Sequence, residues 1–241
     1  MISKNDVVKW IKQYFEENGP TAKAVIGISG GKDSTVAAAL CVEALGADRV
    51  VGVLMPENIQ PDIKDSYRVC EHLGIEYYEI NIDAACSGLY RELMHQGVNI
   101  AKPVVYTNLP ARIRMTTLYA VAAAVGGRVC NTSNLSEIVV GYSTKWGDGV
   151  GDFGPLRNLT VGEILTIGHE LGLPEDLVVK PPADGLSGKT DEENMGITYK
   201  DIETYIFKGK NSLPDDVYKE IEKRQKMSAH KFVSNIPAFE P

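Results

Sequence analysis

Ala24-Val-Ile-Gly-Ile-Ser-Gly-Gly-Lys-Asp-Ser34 changes character twice within a few residues. Ala24 to Ile28 is a short run of mostly apolar residues and reads as a buried strand. Ser34 to Leu45 (STVAAALCVEAL) reads as a helix closed by Gly46. A strand, a glycine-rich loop and a helix in this order open a parallel α/β unit.

Outward from this stretch the alternation continues. Arg49 to Met55 reads as a second strand, Asp62 to Leu73 as a helix ending at Gly74, and Glu76 to Ile82 as a third strand. Asn108 to Val125 reads as a long helix and Arg128 to Thr132 as a fourth strand. Strands and helices in turn predict an α/β fold, a doubly wound parallel sheet with right-handed crossovers. Upstream, Val7, Val8, Ile11 and Phe15 recur at helical spacing. Downstream, Thr144 to Thr160 is rich in Gly and Asp and is expected to be a long functional loop. Helices are expected over Val161 to Leu171, Tyr199 to Phe207 and about Asp215 to Met227. The polar stretch from Lys180 to Asn194 carries Pro181 and Pro182 and is a candidate lid. With no repeat or low-complexity linker, residues 1–241 are expected to form a single domain with extra C-terminal helices.

The 241 residues are 44% hydrophobic and 24% charged, an ordinary globular composition without any long apolar run. A membrane span is excluded, and the charged first residues lack a secretory apolar core, so a cytoplasmic protein is expected. A net charge of −7 argues against a broad nucleic-acid surface. The four cysteines, Cys41, Cys70, Cys86 and Cys130, form no Cys-x-x-Cys pair and read as reduced core thiols.

The loop Gly27-Ile28-Ser29-Gly30-Gly31-Lys32-Asp33-Ser34 is not the common P-loop, which ends in Gly-Lys followed by Ser or Thr. Paired glycines let the backbone approach a phosphate, and Ser29, Ser34 and the first helical amides are donors. Asp33 would repel an anion unless a Mg²⁺ ion bridges the two. A plain turn with Asp33 as helix cap is the simpler alternative, but it requires neither two flanking serines nor a lysine.

The Ser-Gly-Gly-x-Asp-Ser pattern resembles the loop of the N-type ATP pyrophosphatases, the adenine nucleotide alpha hydrolase-like fold, which cleave ATP between its α and β phosphates. Four later segments resemble the ammonia-dependent NAD synthetases of that superfamily in order and spacing. They are Asn108-Leu-Pro-Ala-Arg-Ile-Arg-Met115, Asn131-Thr-Ser-Asn-Leu-Ser-Glu137, Gly141-Tyr-Ser-Thr-Lys-Trp-Gly-Asp-Gly149 with Asp152, and Pro181-Pro-Ala-Asp184 followed by Asp191 and Glu192. The likeness runs from about residue 3 to residue 232.

The resemblance implies ATP-dependent amidation of deamido-NAD by ammonia through an acyl-adenylate, the last step of NAD biosynthesis. It implies ATP contacts from Gly27 to Ser34 and at Thr132, Val161 and Pro182. It further implies deamido-NAD contacts at Arg112, Lys145, Asp152, His230 and Lys231, and Mg²⁺ on Asp33 and Glu137. Read alone, Arg112 is equally well an exposed helix residue, and Glu137 and His230 are more often solvated surface residues. Val161 and Pro182 depart from the family pattern, which often has Lys and Ser or Thr there, and Lys32 or Lys180 is the local alternative source of charge. A homodimer is implied as well, and ammonia is the expected nitrogen donor because the synthetase pattern occupies the whole chain. A tRNA-thiolating enzyme predicts a reactive cysteine pair and a basic face, and a non-catalytic nucleotide-binding protein predicts a lost metal carboxylate. The sequence shows neither signature.

Overall fold

The computed structural model describes residues 2–60, 62–179 and 190–232. The first amphipathic segment is α1 (Lys4–Asn18), with Val7, Val8, Ile11 and Phe15 buried. A reciprocal cap fixes its start: the Asp6 amide donates to Ser3 Oγ at 3.3 Å and the Ser3 amide donates to Asp6 Oδ2 at 3.0 Å. β1 (Lys23–Gly27) leads through the glycine-rich loop into α2 (Lys32–Leu45). β2 (Val50–Leu54), α3 (Ile63–Leu73) and β3 (Glu76–Glu79) follow. Then come α4 (Asp83–His95), α5 (Pro103–Val125) and β4 (Gly127–Val129).

The strands are parallel, in the order β3-β2-β1-β4. Successive side chains of a strand point to opposite faces, and this divides the core. Ala24 and Ile26 of β1, with Val50 and Leu54 of β2, join an apolar cluster built with α1 and α2. Val25, Val51 and Val53 join a second one with Cys86 of α4 and Val121 of α5. Helices therefore cover both faces, and the doubly wound expectation holds.

Beyond the sheet lie α6 (Leu135–Val140), α7 (Val161–Glu170) and α8 (Glu175–Val178), then α9 (Asp191–Met195), α10 (Tyr199–Lys208) and α11 (Asp215–Ser228). Val140, Val161, Ile202 and Ile221 bind α6, α7, α10 and α11 into a third cluster. Among the described residues no helix is long and apolar enough to cross a membrane.

The structure departs from the sequence reading at α4, α5, β3 and β4. α4 is unforeseen, since Cys86 is its one fully buried residue and no apolar stripe announces it. α5 begins at Pro103 rather than Asn108, so Pro110 lies inside the helix rather than in its first turn. β3 and β4 are shorter than expected. Past β3 the pairing becomes irregular, with the Ile80 amide donating to Leu54 O at 2.8 Å and the Ile82 amide to Pro56 O at 2.9 Å. Past β4, the Cys130 amide still donates to Val25 O at 2.9 Å, and Cys130 also forms an isolated parallel bridge with Phe153 of the Gly-Asp-rich loop.

Candidate functional site

The sheet grows from β1 to β2 and β3 on one side, then turns back to place β4 on the other. The C-terminal ends of β1 and β4 thus flank the crevice in which open α/β sheets hold ligands. Gly27 ends β1, and the buried Ile28 donates its amide to Val53 O at 3.0 Å. Gly30 takes φ +76°, and a Cβ there would lie 2.8 Å from Asp65 Cβ, so a side chain would push the loop off α3. Ser29 and Ser34 close the loop on itself. The Ser29 amide donates to Ser34 Oγ at 3.2 Å, the hydroxyls lie 3.1 Å apart, and the Gly31 amide donates to Ser29 Oγ at 3.3 Å. Gly31 is the N-cap of α2, and no side chain among the described residues caps that helix. An uncapped first turn carries amide donors and the positive end of the helix dipole, which is a site for an anion.

Two carboxylates converge beside this loop. Asp33 comes from the first turn of α2 and Glu137 from the first turn of α6. Asn134 connects them: its Nδ2 donates to Asp33 Oδ1 at 3.2 Å, its amide donates to Glu137 Oε2 at 3.1 Å, and its Oδ1 accepts the Glu137 amide at 2.9 Å. Removal from water and the nearby Asp33 charge push the Glu137 carboxyl well above the usual range. Lys32, 3% exposed, donates to Asp33 Oδ2 at 2.8 Å. Burial opposes its charge, but Asp33, Glu137 and Asp191 outweigh that and hold its pKa above the ordinary lysine value.

Thr132 follows β4 into the crevice and is half-buried. Val161 begins α7 and is buried in the third apolar cluster. Pro182, Lys180 and most of the expected lid lie outside the described residues, while the end of that stretch is helix α9.

The expected dinucleotide contacts gather around the Gly-Asp-rich loop. The exposed Arg112 of α5 donates from Nε to Lys145 O at 3.2 Å, and Lys145 Nζ lies 5.5 Å from the Trp146 ring centre. Arg114 is turned inward and donates to Met55 O at 3.1 Å, tying α5 to the end of β2. Asp152 spends its carboxylate on the scaffold: Oδ2 accepts the Val129 amide at 2.7 Å and Oδ1 accepts Tyr119 Oη at 3.3 Å. Lys231 Nζ donates to Gly141 O at 2.7 Å and Ser143 O at 2.6 Å, anchoring the start of the loop, while His230 is exposed. Between this loop and α1 lies a cavity of about 450 Å³ lined by Trp10, Tyr14, Asn131, Phe153 and Arg157.

Sequence reasoning assigned no role to Asn134 or Tyr199, and it marked Asp191 only within a family-like segment, without a role. Asn134-x-x-Glu137 is a capping-box spacing, so Asn134 was findable. Asp191 and Tyr199 approach Lys32 from another part of the chain, and nothing local in the sequence shows that approach.

The family model described as NAD synthase matches residues 3–235. The NH(3)-dependent NAD(+) synthetase of Thermococcus sibiricus is 38% identical over 203 residues, spanning 84% of this chain and 78% of the relative. The fold superposes on an NMN synthetase from Francisella tularensis with a TM-score of 0.88 at 31% identity, covering 99% of this chain and 100% of that one. An NH3-dependent NAD synthetase from Campylobacter jejuni superposes with a TM-score of 0.79 at 27% identity, covering 99% and 97%. By its sequence along nearly its whole length, and by its fold, the chain belongs to the NAD synthase family.

Proposed function

We propose that this chain is a ligase that converts deamido-NAD, ATP and ammonia into NAD, AMP and pyrophosphate. The observation that carries this reading is the convergence of Asp33 and Glu137, joined by Asn134, on the anion-ready loop that joins β1 to α2. A carboxylate is a poor acyl donor because it would have to expel oxide. Its oxygen therefore attacks the α-phosphorus of ATP, and the bond to pyrophosphate breaks with the electron pair leaving on pyrophosphate. Ammonia then adds to the acyl carbon and gives up a proton, and the bond to the AMP oxygen breaks. No protein nucleophile is required.

The first turn of α2 would bind the phosphates, with Thr132 beside them, and Arg112, Lys145 and His230 would meet the dinucleotide. Asp152 and Lys231 would act by holding the loop that carries Lys145. Val161 would add shape rather than charge. Asp33 and Glu137 fit a Mg²⁺ ion, because they are hard oxygen donors whose mutual repulsion a divalent cation relieves. Among the described residues no cluster of three or more His, Cys, Asp or Glu side chains is arranged to hold a metal, and Mg²⁺ characteristically needs one or two carboxylates plus substrate phosphates. Bound there, Mg²⁺ supplies charge neutralisation for the departing pyrophosphate. A homodimer is part of the proposal, supported by Leu89, Met94, Val104 and Tyr106, which α4 and α5 leave exposed. Sedimentation at the 26.3 kDa monomer mass would remove it.

The end-to-end likeness to an NMN synthetase favours a second reading, in which the acceptor is the mononucleotide carboxylate and the product NMN. The two are separated by supplying deamido-NAD or the mononucleotide with ATP, Mg²⁺ and ammonium. NAD formed one-to-one with AMP, and lost in Asp33→Asn, supports the first. NMN with no NAD moves the substrate to the second, and neither product removes both.

A further inference from the structure

Beyond the ATP contact that the resemblance implies for it, the chemistry above gives the Lys32 ammonium no task, yet its placement is costly. An ammonium taken from water is tolerated only when it is paired, and Lys32 is paired on several sides. Its Nζ donates to Asp33 Oδ2 at 2.8 Å, and the Tyr199 ring covers it with the centre 5.4 Å away. Tyr199 is itself fixed, since its Oη donates to Asp191 Oδ2 at 3.0 Å and its ring belongs to the third apolar cluster. Glu137 and Asp191 add negative charge nearby. The cation therefore sits among three carboxylates, two of which are the metal donors assigned above.

We propose that Lys32 is a tethered counter-ion of the metal site, positioned by Tyr199, which holds Asp33 in the nucleotide-free protein and makes the site a weak binder of Mg²⁺ alone. The inference rests on the metal reading of Asp33 and Glu137. A fixed positive charge within a few ångströms of a divalent ion repels it, and the ATP phosphates supply the negative charge that offsets this repulsion. The metal is thus accepted with its nucleotide rather than before it. A neutral residue at position 32 would leave Asp33, Glu137 and Asp191 facing one another uncompensated. The neutral variant would then need a divalent ion for the stability that the lysine otherwise provides.

Calorimetric titration of the nucleotide-free full chain with MgCl₂, paired with the Mg²⁺-induced change in Tm, tests this. Lys32→Gln should bind Mg²⁺ at least about tenfold more tightly than the wild type and show the larger rise in Tm. Lys32→Arg, which keeps the charge, should return toward wild-type affinity. Tyr199→Leu removes the covering ring and should tighten Mg²⁺ binding, whereas Tyr199→Phe should not. That pair decides the matter if Lys32→Gln does not fold. Equal or weaker Mg²⁺ binding in Lys32→Gln, or in Tyr199→Leu where it stands in, overturns the proposal, as does the absence of Mg²⁺ binding in every variant. Tighter Mg²⁺ binding in a chain that forms neither NAD nor NMN would sustain the inference and sink the functional reading instead.

Discussion

Asn134 joins the two halves of the site with one side chain. Its Oδ1 caps α6 through the Glu137 amide, and its Nδ2 holds Asp33 Oδ1. Asn134→Ala removes the cap, a loss of about 1–2 kcal/mol, and leaves Asp33 without that donor. We expect denaturant unfolding to show the stability loss and steady-state kinetics to show a raised KM for ATP. Wild-type KM with reduced stability would make Asn134 a cap and nothing more. At this scale the sequence was most legible where chemistry is local. Gly30 and Gly31 before a helix mark a candidate anion site, because paired glycines let the backbone approach a phosphate. The surroundings of Lys32 were hidden, since Asp191 and Tyr199 reach it from elements far along the chain. The two serines illustrate a subtler limit: their hydroxyls were read as phosphate donors, and the structure uses them to close the loop.

Among the elements, α1 shows how a local signal fixes a boundary. Hydrogen bonds from the Ser3 hydroxyl and amide hold the exposed Asp6 carboxyl below its ordinary value of 3.8. A depressed folded-state pKa means that Asp6 contributes stability above the ordinary value and loses it as pH falls through the lowered one. The Tm difference between wild type and Ser3→Ala should therefore persist from neutral pH down to about 3.8 and shrink below it. A difference independent of pH would show that the Ser3 hydroxyl bond to the Asp6 carboxylate contributes nothing. α1 and α7, which bury an apolar stripe, were legible, as was α2, whose residues from Ser34 to Cys41 are all buried. α4 was not, because a helix lying on the surface with little buried area need not carry the apolar period that reveals it. α5 begins five residues before the expected Asn108, at Pro103, a residue favoured in the first turn of a helix.

Across the whole molecule, packing explains why the site lies where it does. β1 and β2 feed both apolar faces of the sheet, and Leu165 of α7 packs against the first cluster and the third. The crevice between β1 and β4 is thus bounded by elements that share a core, and the C-terminal helices bring Tyr199 to Lys32 and Lys231 to the start of the Gly-Asp-rich loop from outside the sheet. Strand order was not legible from the sequence alone, since each strand's neighbours are chosen by packing over the whole chain. The central claim is that the substrate carboxylate is activated by transfer of AMP to its oxygen. Deamido-NAD labelled with ¹⁸O in that carboxylate, converted with ATP and ammonium, tests it most directly. The account predicts one labelled oxygen in each AMP released per NAD formed, with the pyrophosphate unlabelled. AMP without label, or label in phosphate accompanied by ADP, would contradict it.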